Sequence, residues 1–248
     1  MRYIAQICRR ALTFAMFYAF VIGSALGQGV VVIQHSGATD PLTEGFSGNS
    51  YGSGPITHDK GYDAWSTSSY TNLGSTYTYN LTSPQRSQIA DSSWSFSVNV
   101  RVTNTIAIGV FYAALEMGSE GSFSLVFGSD PSGDPFVVYG PPGTNGIQPS
   151  LAVIGAGSSY NNYQLIWNPA MSTASLWVDG VERVSDVPGG SPSSVEEVLW
   201  GAGGGVGYEQ ANWNLVSLEI IPEPSTWSVL VLGGGLLIYL RTHRAAAV

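Results

Sequence analysis

One cysteine, three histidines and nine basic residues are all that these 248 residues offer to thiol, imidazole and cationic chemistry. The cysteine is Cys8, close to the N-terminus, so the stretch from 28 to 221 contains no thiol. That excludes a disulfide or a thiolate zinc centre in the body of the chain. His35 and His58, its two histidines, do not stand at metal-ligand spacing. Five of the nine bases, Arg2, Arg9, Arg10, Arg241 and Arg244, lie at the two ends, leaving Lys60, Arg86, Arg101 and Arg183 against sixteen acids, a net of −12 for the body. Such a field repels phosphate backbones and argues against nucleic acid as a partner. It suits neutral sugars or divalent cations. Charged residues make up only 10%, too few for long solvent-facing helices, whereas the 31 glycines stand well above the usual ~7%. Short strands and turns are the expected texture.

Two apolar segments flank this body. "MRYIAQICRRALTFAMFYAFVIGSALGQ" has a basic start, an uncharged apolar run from Ala11 to Leu26 and small residues at Ala25 and Gly27, the three-part plan of a secretory signal over residues 1–27. Cleavage is expected after Ala25 or Gly27; the alternative is an uncleaved anchor. At the other end Trp227 to Leu240 supplies 14 apolar residues, interrupted by Gly233, Gly234 and Gly235. As a helix they rise about 21 Å, short of a hydrocarbon core of about 30 Å. Basic residues lie outside both apolar segments, which places the termini in the cytoplasm and the body across the membrane.

The segment 222–248, "PEPSTWSVLVLGGGLLIYLRTHRAAAV", has Pro222, Glu223 and Pro224, then the short span 227–240, then Arg241 and Arg244. It resembles the PEP-CTERM sorting signal of Gram-negative bacteria. The resemblance implies transient association with the inner membrane, removal of the tail by an exosortase-type enzyme, and delivery to the cell surface or extracellular polysaccharide matrix.

Between the ends the dominant signal is alternation with period two. In "WSFSVNVRV", Trp94, Phe96, Val98, Val100 and Val102 share one face, and Ser95, Ser97, Asn99 and Arg101 the other. "YTYNL", "FSLVF", "YQLIW" and "NLVSLEI" read as strands in the same way. Asp179-Gly180 between "SLWV" and "VERV" predicts a type I′ hairpin, which needs positive φ at both central residues. One short helix is expected from Ser83 to Ala90, with Ser83 as its cap and Pro84 in first position. Short strands with one buried face call for an all-β, two-sheet antiparallel jelly-roll sandwich over residues 28–221. The runs "YNNYQLIWNPAMSTASLWVDGVERVSD" and "VLWGAGGGVGYEQANWNLVSLEI" resemble the late strands of concanavalin A-like, laminin G-like domains, and "LTSPQRSQIADSSWSFSVNVRV" their helical turn and strand.

That fold includes glucanases, so catalytic acids are to be sought. A retaining glycosidase needs two carboxylates about 5–5.5 Å apart. The motif E-x-D-x-x-E does not occur; Glu116 and Glu120 flank a hairpin tip, and the adjacent Glu196 and Glu197 point to opposite faces of an extended chain. "GNSYG" has the spelling of a nucleophile elbow without its strand-to-helix context. "GAGGGVG" reads as a hairpin or a close backbone crossing. In "DPSGDP", Asp130, Ser132 and Asp134 alternate as in the first half of a calcium loop, but prolines occupy later EF-hand positions. Calcium through loop oxygens, as the laminin G resemblance allows, is carried forward as the one candidate cofactor. For sugar binding, which uses aromatic faces with a few polar groups, Trp177 faces away from Leu176 and Val178, and Tyr208 lies in a loop; these two are the expected platform. Trp94 and Trp167 are expected in the core.

The expectation is a non-enzymatic, exported module that is structural or binds extracellular polysaccharide. The alternatives are a polysaccharide-cleaving enzyme of the same fold and a protein-protein adhesion module.

Overall fold

The computed structural model describes residues 29–70, 73–104, 111–118, 121–129, 135–140, 150–152, 157–190, 195–204 and 208–221. Among the described residues fifteen strands run in chain order as β1 (Val30–Ser36), β2 (Ser47–Ser50), β3 (Gly54–Asp59), β4 (Tyr62–Tyr70), β5 (Leu73–Asn80), β6 (Ser93–Asn104), β7 (Phe111–Met117), β8 (Ser122–Ser129), β9 (Pro135–Gly140), β10 (Ser150–Ala152), β11 (Asn161–Asn168), β12 (Thr173–Val178), β13 (Val181–Pro188), β14 (Glu196–Ala202) and β15 (Glu209–Ile221). One layer, sheet A, has the order β3-β4-β15-β6-β11-β12-β13, with β1 also on β15; the other, sheet B, runs β10-β9-β8-β7-β14-β5-β2. The β4–β5 hairpin, pairing Ser69 with Gly74 and Tyr70 with Leu73, joins the layers at one corner. This is the expected antiparallel sandwich.

Alternation builds its core. Trp94, Phe96, Val98, Val100 and Val102 on β6 are all buried and face Phe123, Leu125 and Phe127 on β8. The layers meet through aromatic contacts: Trp94 to Phe123 at 5.4 Å, Phe127 to Tyr163 at 4.9 Å and Trp200 to Trp213 at 5.3 Å between ring centroids. Edge-to-face and tilted pairs such as these contribute about 0.5–1.5 kcal/mol each beyond the area they bury. Trp167, at 9% exposure, belongs to the same core.

Turn chemistry follows the residues that supply it. Asp179 (φ 52°) and Gly180 (φ 76°) form the hairpin between β12 and β13. The Asp179 carboxylate also accepts from Asn161 Nδ2 and the Asn162 backbone N–H, tying this turn to β11. The helix, α1 (Ser83–Ala90), forms where expected, but its cap is Thr82 and not Ser83. Gln85 decides this: its amide oxygen accepts from the Thr82 N–H at 2.8 Å while its Nε2 donates to the Val32 carbonyl, pinning the first turn one residue earlier. Beside α1 lies a cleft of about 330 Å³ floored by Leu81, Ile89 and Met117, with the Arg86–Glu196 ion pair in its lining.

Strand β4, "YDAWSTSSY", has no apolar alternation and is nevertheless buried from Ala64 to Ser69 on both faces. Two of its core-facing residues reach polar partners. Thr67 accepts from the Trp213 indole at 2.8 Å, and Tyr77 OH accepts from the Trp65 indole at 2.8 Å. His35 is equally buried, stacked on Trp200 at 4.7 Å with Nδ1 2.6 Å from Glu44.

Candidate functional site

The outer face of sheet A is built by the residues that alternate with its core. Register sets Asn99 beside Asn162, and Ser97 beside Gln164, then Trp177, then Glu182. On the other side of β6, Asn212 and Gln210 of β15 lie against Ser66 and Ser68 of β4. The face is rich in amides and hydroxyls that bond one another: Gln164 Nε2 donates to Ser95 Oγ at 2.7 Å, and Gln210 Nε2 to Ser66 Oγ at 2.8 Å. Trp177 lies on it, half-buried, its indole N–H donating to Ser175 Oγ at 2.9 Å.

At its centre stands one carboxylate. A register shift at the end of β3, with His58 (φ 57°) and Lys60 (φ 53°) in the left-handed region, turns Asp59 back over the sheet. Asp59 accepts from Arg101 Nε at 2.9 Å and Nη2 at 2.6 Å, from Tyr160 OH at 2.9 Å and from Asn212 Nδ2 at 2.7 Å. Burial alone would raise the Asp59 carboxyl, but the bonds from Arg101, Asn212 and Tyr160 outweigh it and hold its pKa below the ordinary 3.8. The same burial and the adjacent carboxylate push the Tyr160 phenol well up, so it remains a neutral donor. Tyr62, 43% exposed, covers Tyr160 with ring centroids 4.7 Å apart. Two acceptors on this face are buried without a hydrogen-bond partner, Asn99 Oδ1 and Asn212 Oδ1. In Asn212 the carboxylate fixes the amide: nitrogen faces Asp59, so oxygen is the atom left over.

The expected platform of Trp177 and Tyr208 is not brought together. Thr103, whose hydroxyl donates to the Gln210 carbonyl near Tyr208, lies six residues along β6 from Ser97, which shares the row of Trp177, about 20 Å away at 3.3 Å per residue. Three strand spacings, about 14 Å, add to this across the sheet. The register of Glu209 with Ser69, carried one residue further, instead sets Tyr208 opposite Tyr70; both are about half exposed, at 52% and 53%. The candidate calcium residues Asp130, Ser132 and Asp134 lie outside the described residues, as do the signal segment 1–27 and the tail residues Pro222, Glu223, Pro224, Arg241 and Arg244. Among the described residues no helix is long and apolar enough to cross a membrane.

The outer face of sheet B holds a pair that chain reading missed. Glu116 on β7 and Glu197 on β14 are direct cross-strand partners, a relation that places Cβ atoms about 4.5–5.5 Å apart. Partial burial first, and the Glu116 charge second, raise the Glu197 carboxyl above its ordinary value. The Tyr112 phenol on the same face is pushed up too, by burial and then by Glu197. Glu196 and Glu197 do point apart, as expected; Glu196 turns to Arg86 at 2.5 Å. No local motif announces the Glu116–Glu197 pair, because register between distant strands creates it.

No protein-family model and no curated protein matches this chain. Solved structures do. The chain is similar to a carbohydrate esterase from the Shiga toxin-encoding bacteriophage phi24B, with a TM-score of 0.61 and 11% identity over 79% of this chain and 100% of that one. It is also similar to the binding domain of Paraclostridial Mosquitocidal Protein 1 (TM-score 0.52, 10% identity, 81% of this chain) and to the binding domain of Botulinum neurotoxin DC, solved with rat synaptotagmin II (0.50, 8%, 76%). It spans about half of each toxin structure, 51% and 46%. At such identities the likeness establishes the β-sandwich fold, shared by enzymes and binding domains alike.

Proposed function

We propose that this chain is an exported protein whose β-sandwich associates with extracellular carbohydrate through the outer face of sheet A, without chemistry of its own. The observation that carries the reading is the make-up of that face: amides, hydroxyls and aromatic rings around a neutralised Asp59–Arg101 pair. Neutral sugars offer hydroxyls to the former and ring faces to the latter. The signal-like segment 1–27 and the sorting-signal resemblance over 222–248 supply the route, with an exosortase-type enzyme as processing partner. Two measurements test this. The full chain is expected to be retained by immobilised neutral glycans, and the form recovered from the cell surface to lack its C-terminal tail by mass spectrometry. A chain that no glycan retains removes the binding reading; a surface form ending at Val248 removes the sorting.

The Glu116–Glu197 pair favours a second reading, polysaccharide cleavage, since a carboxyl whose pKa is raised by burial and by a facing carboxyl group is the arrangement an acid–base pair needs. If the chain releases reducing ends from a glycan it retains, Glu197→Gln is expected to lower that rate by about 10²–10⁴-fold with retention unchanged. Release of no reducing ends by the unaltered chain discards cleavage. In either case Glu197→Gln is expected to raise stability at neutral pH by about 0.2–1 kcal/mol, because like charges directly opposite on a sheet repel. The sign follows from linkage. A carboxyl raised by folding costs stability as pH rises through the carboxylate range, so the gain disappears as pH falls and Glu197 takes up its proton.

A further inference from the structure

Outward positions along β4 are Tyr62, Ala64, Ser66, Ser68 and Tyr70. Ala64, Ser66 and Ser68 are buried and flush, whereas Tyr62 and Tyr70 stand 43% and 53% exposed, so a low floor runs between two raised rings. Eight residues of strand separate those rings by about 26 Å. Tyr208 doubles the far end, and Gln210 and Asn212 of β15 form the side.

We infer that this strip is a track for an uncharged, extended polysaccharide, held lengthwise along β4 and β15 between Tyr62 and the Tyr70–Tyr208 pair, with Trp177 outside it. The inference deepens the carbohydrate reading above and rests on it. Three observations fix the class of ligand. A single sugar ring cannot touch both ends, so the occupant is a chain. Asn212 is 2% exposed, its Nδ2 is held by Asp59 and its Oδ1 has no partner, so the side of the track seeks a donor such as a hydroxyl. The charged residues along it, Asp59, Asp63, Glu209, Lys60 and Arg101, sum to −1, and the Arg101 guanidinium is already taken by Asp59 and by the Gly157 carbonyl. An acidic sugar finds no free guanidinium there and meets the field of a body carrying −12.

Calorimetry of the full chain tests this with a soluble neutral β-glucan, a graded series of oligosaccharides cut from it, and polygalacturonate. Affinity for the neutral series is expected to climb with length. It is expected to fall about tenfold or more in the Tyr70→Ala/Tyr208→Ala variant and in Asn212→Leu, and by less in Trp177→Ala, while Met171→Ala, in the exposed turn between β11 and β12, binds as the unaltered chain does. Should Asn212→Leu fail to fold, the exposed tyrosine variant alone carries the decision. Length-independent affinity, a preference for polygalacturonate, or loss on Trp177→Ala with the tyrosines indifferent overturns the track and leaves carbohydrate association standing. Binding of neither polymer overturns the track, and failure on the wider set of immobilised glycans removes the parent reading as well.

Discussion

Gly201→Ala is expected to lower the melting temperature by roughly 10 °C or more. Gly201 lies in β14, between β7 and β5, paired with Thr76 on one side and Tyr112 on the other. Its φ is 126°, in a region that residues with a side chain rarely adopt, and an added Cβ would stand 2.1 Å from the Ser75 carbonyl oxygen. That obstacle is backbone, and moving it strains the neighbouring Gly74, where a Cβ would itself lie 2.1 Å from the Ala202 carbonyl. Backbone strain of about 1–3 kcal/mol and overpacking of a similar size then combine. Against a net stability of about 5–15 kcal/mol this is a large fraction, and each kcal/mol lowers the melting temperature of a domain this size by about 2–4 °C. Gly54→Ala is the control. Gly54 has no atom within 4 Å of a built Cβ and no positive φ, so its melting curve should coincide with that of the unaltered chain. If Gly201→Ala melts alongside that control, the close crossing of β5 and β14 is not what holds this part of sheet B.

The close approach of β5 and β14 at Gly201 is one of the two readings that "GAGGGVG" offered, the other being a hairpin, because glycine inside a strand-rich stretch often marks a close approach of backbone. The hairpin at Asp179-Gly180 was legible for a similar reason: a local conformational demand leaves a local residue signature. Strands β6, β8, β11 and β15 were legible because one face is core and the other is not. Strand β4 was not, since its buried Ser66 and Thr67 read as polar and become compatible with burial only once the amide and the indole that bond them arrive from elsewhere. The functional face shows the same division. That Trp177 points away from the core follows from parity within one strand. That Tyr208 belongs with Tyr70, and Glu116 with Glu197, depends on register between strands far apart in the chain, which nothing in either segment specifies. Arg101 is the sharpest case. Parity sent it outward correctly, yet its partner Asp59 comes from a turn whose two left-handed residues, His58 and Lys60, are not glycine.

Arg101→Ala is accordingly expected to destabilise the fold by about 3 kcal/mol at neutral pH, because breaking a largely buried ion pair leaves a charge with no compensation. The side chains of Arg101 and Asp59 are only 14% and 13% exposed, so solvent screens little of the loss. Replacing both partners, as Arg101→Met with Asp59→Leu, should recover part of it, since no lone carboxylate then remains. Acid separates this account from simple loss of packing. In the unaltered chain Asp59 has a lowered pKa, so its contribution is complete above the ordinary 3.8 and is lost as pH falls through the lower folded value. Without Arg101 the largest opposing influence, burial, gains weight and the carboxyl takes a proton earlier. The gap between the two proteins in urea melts should therefore be widest near neutrality and narrow below pH ~4. A gap that stays constant across that range would mean that Arg101 acts through its methylene stem, and that the centre of the outer face is held by shape rather than by charge.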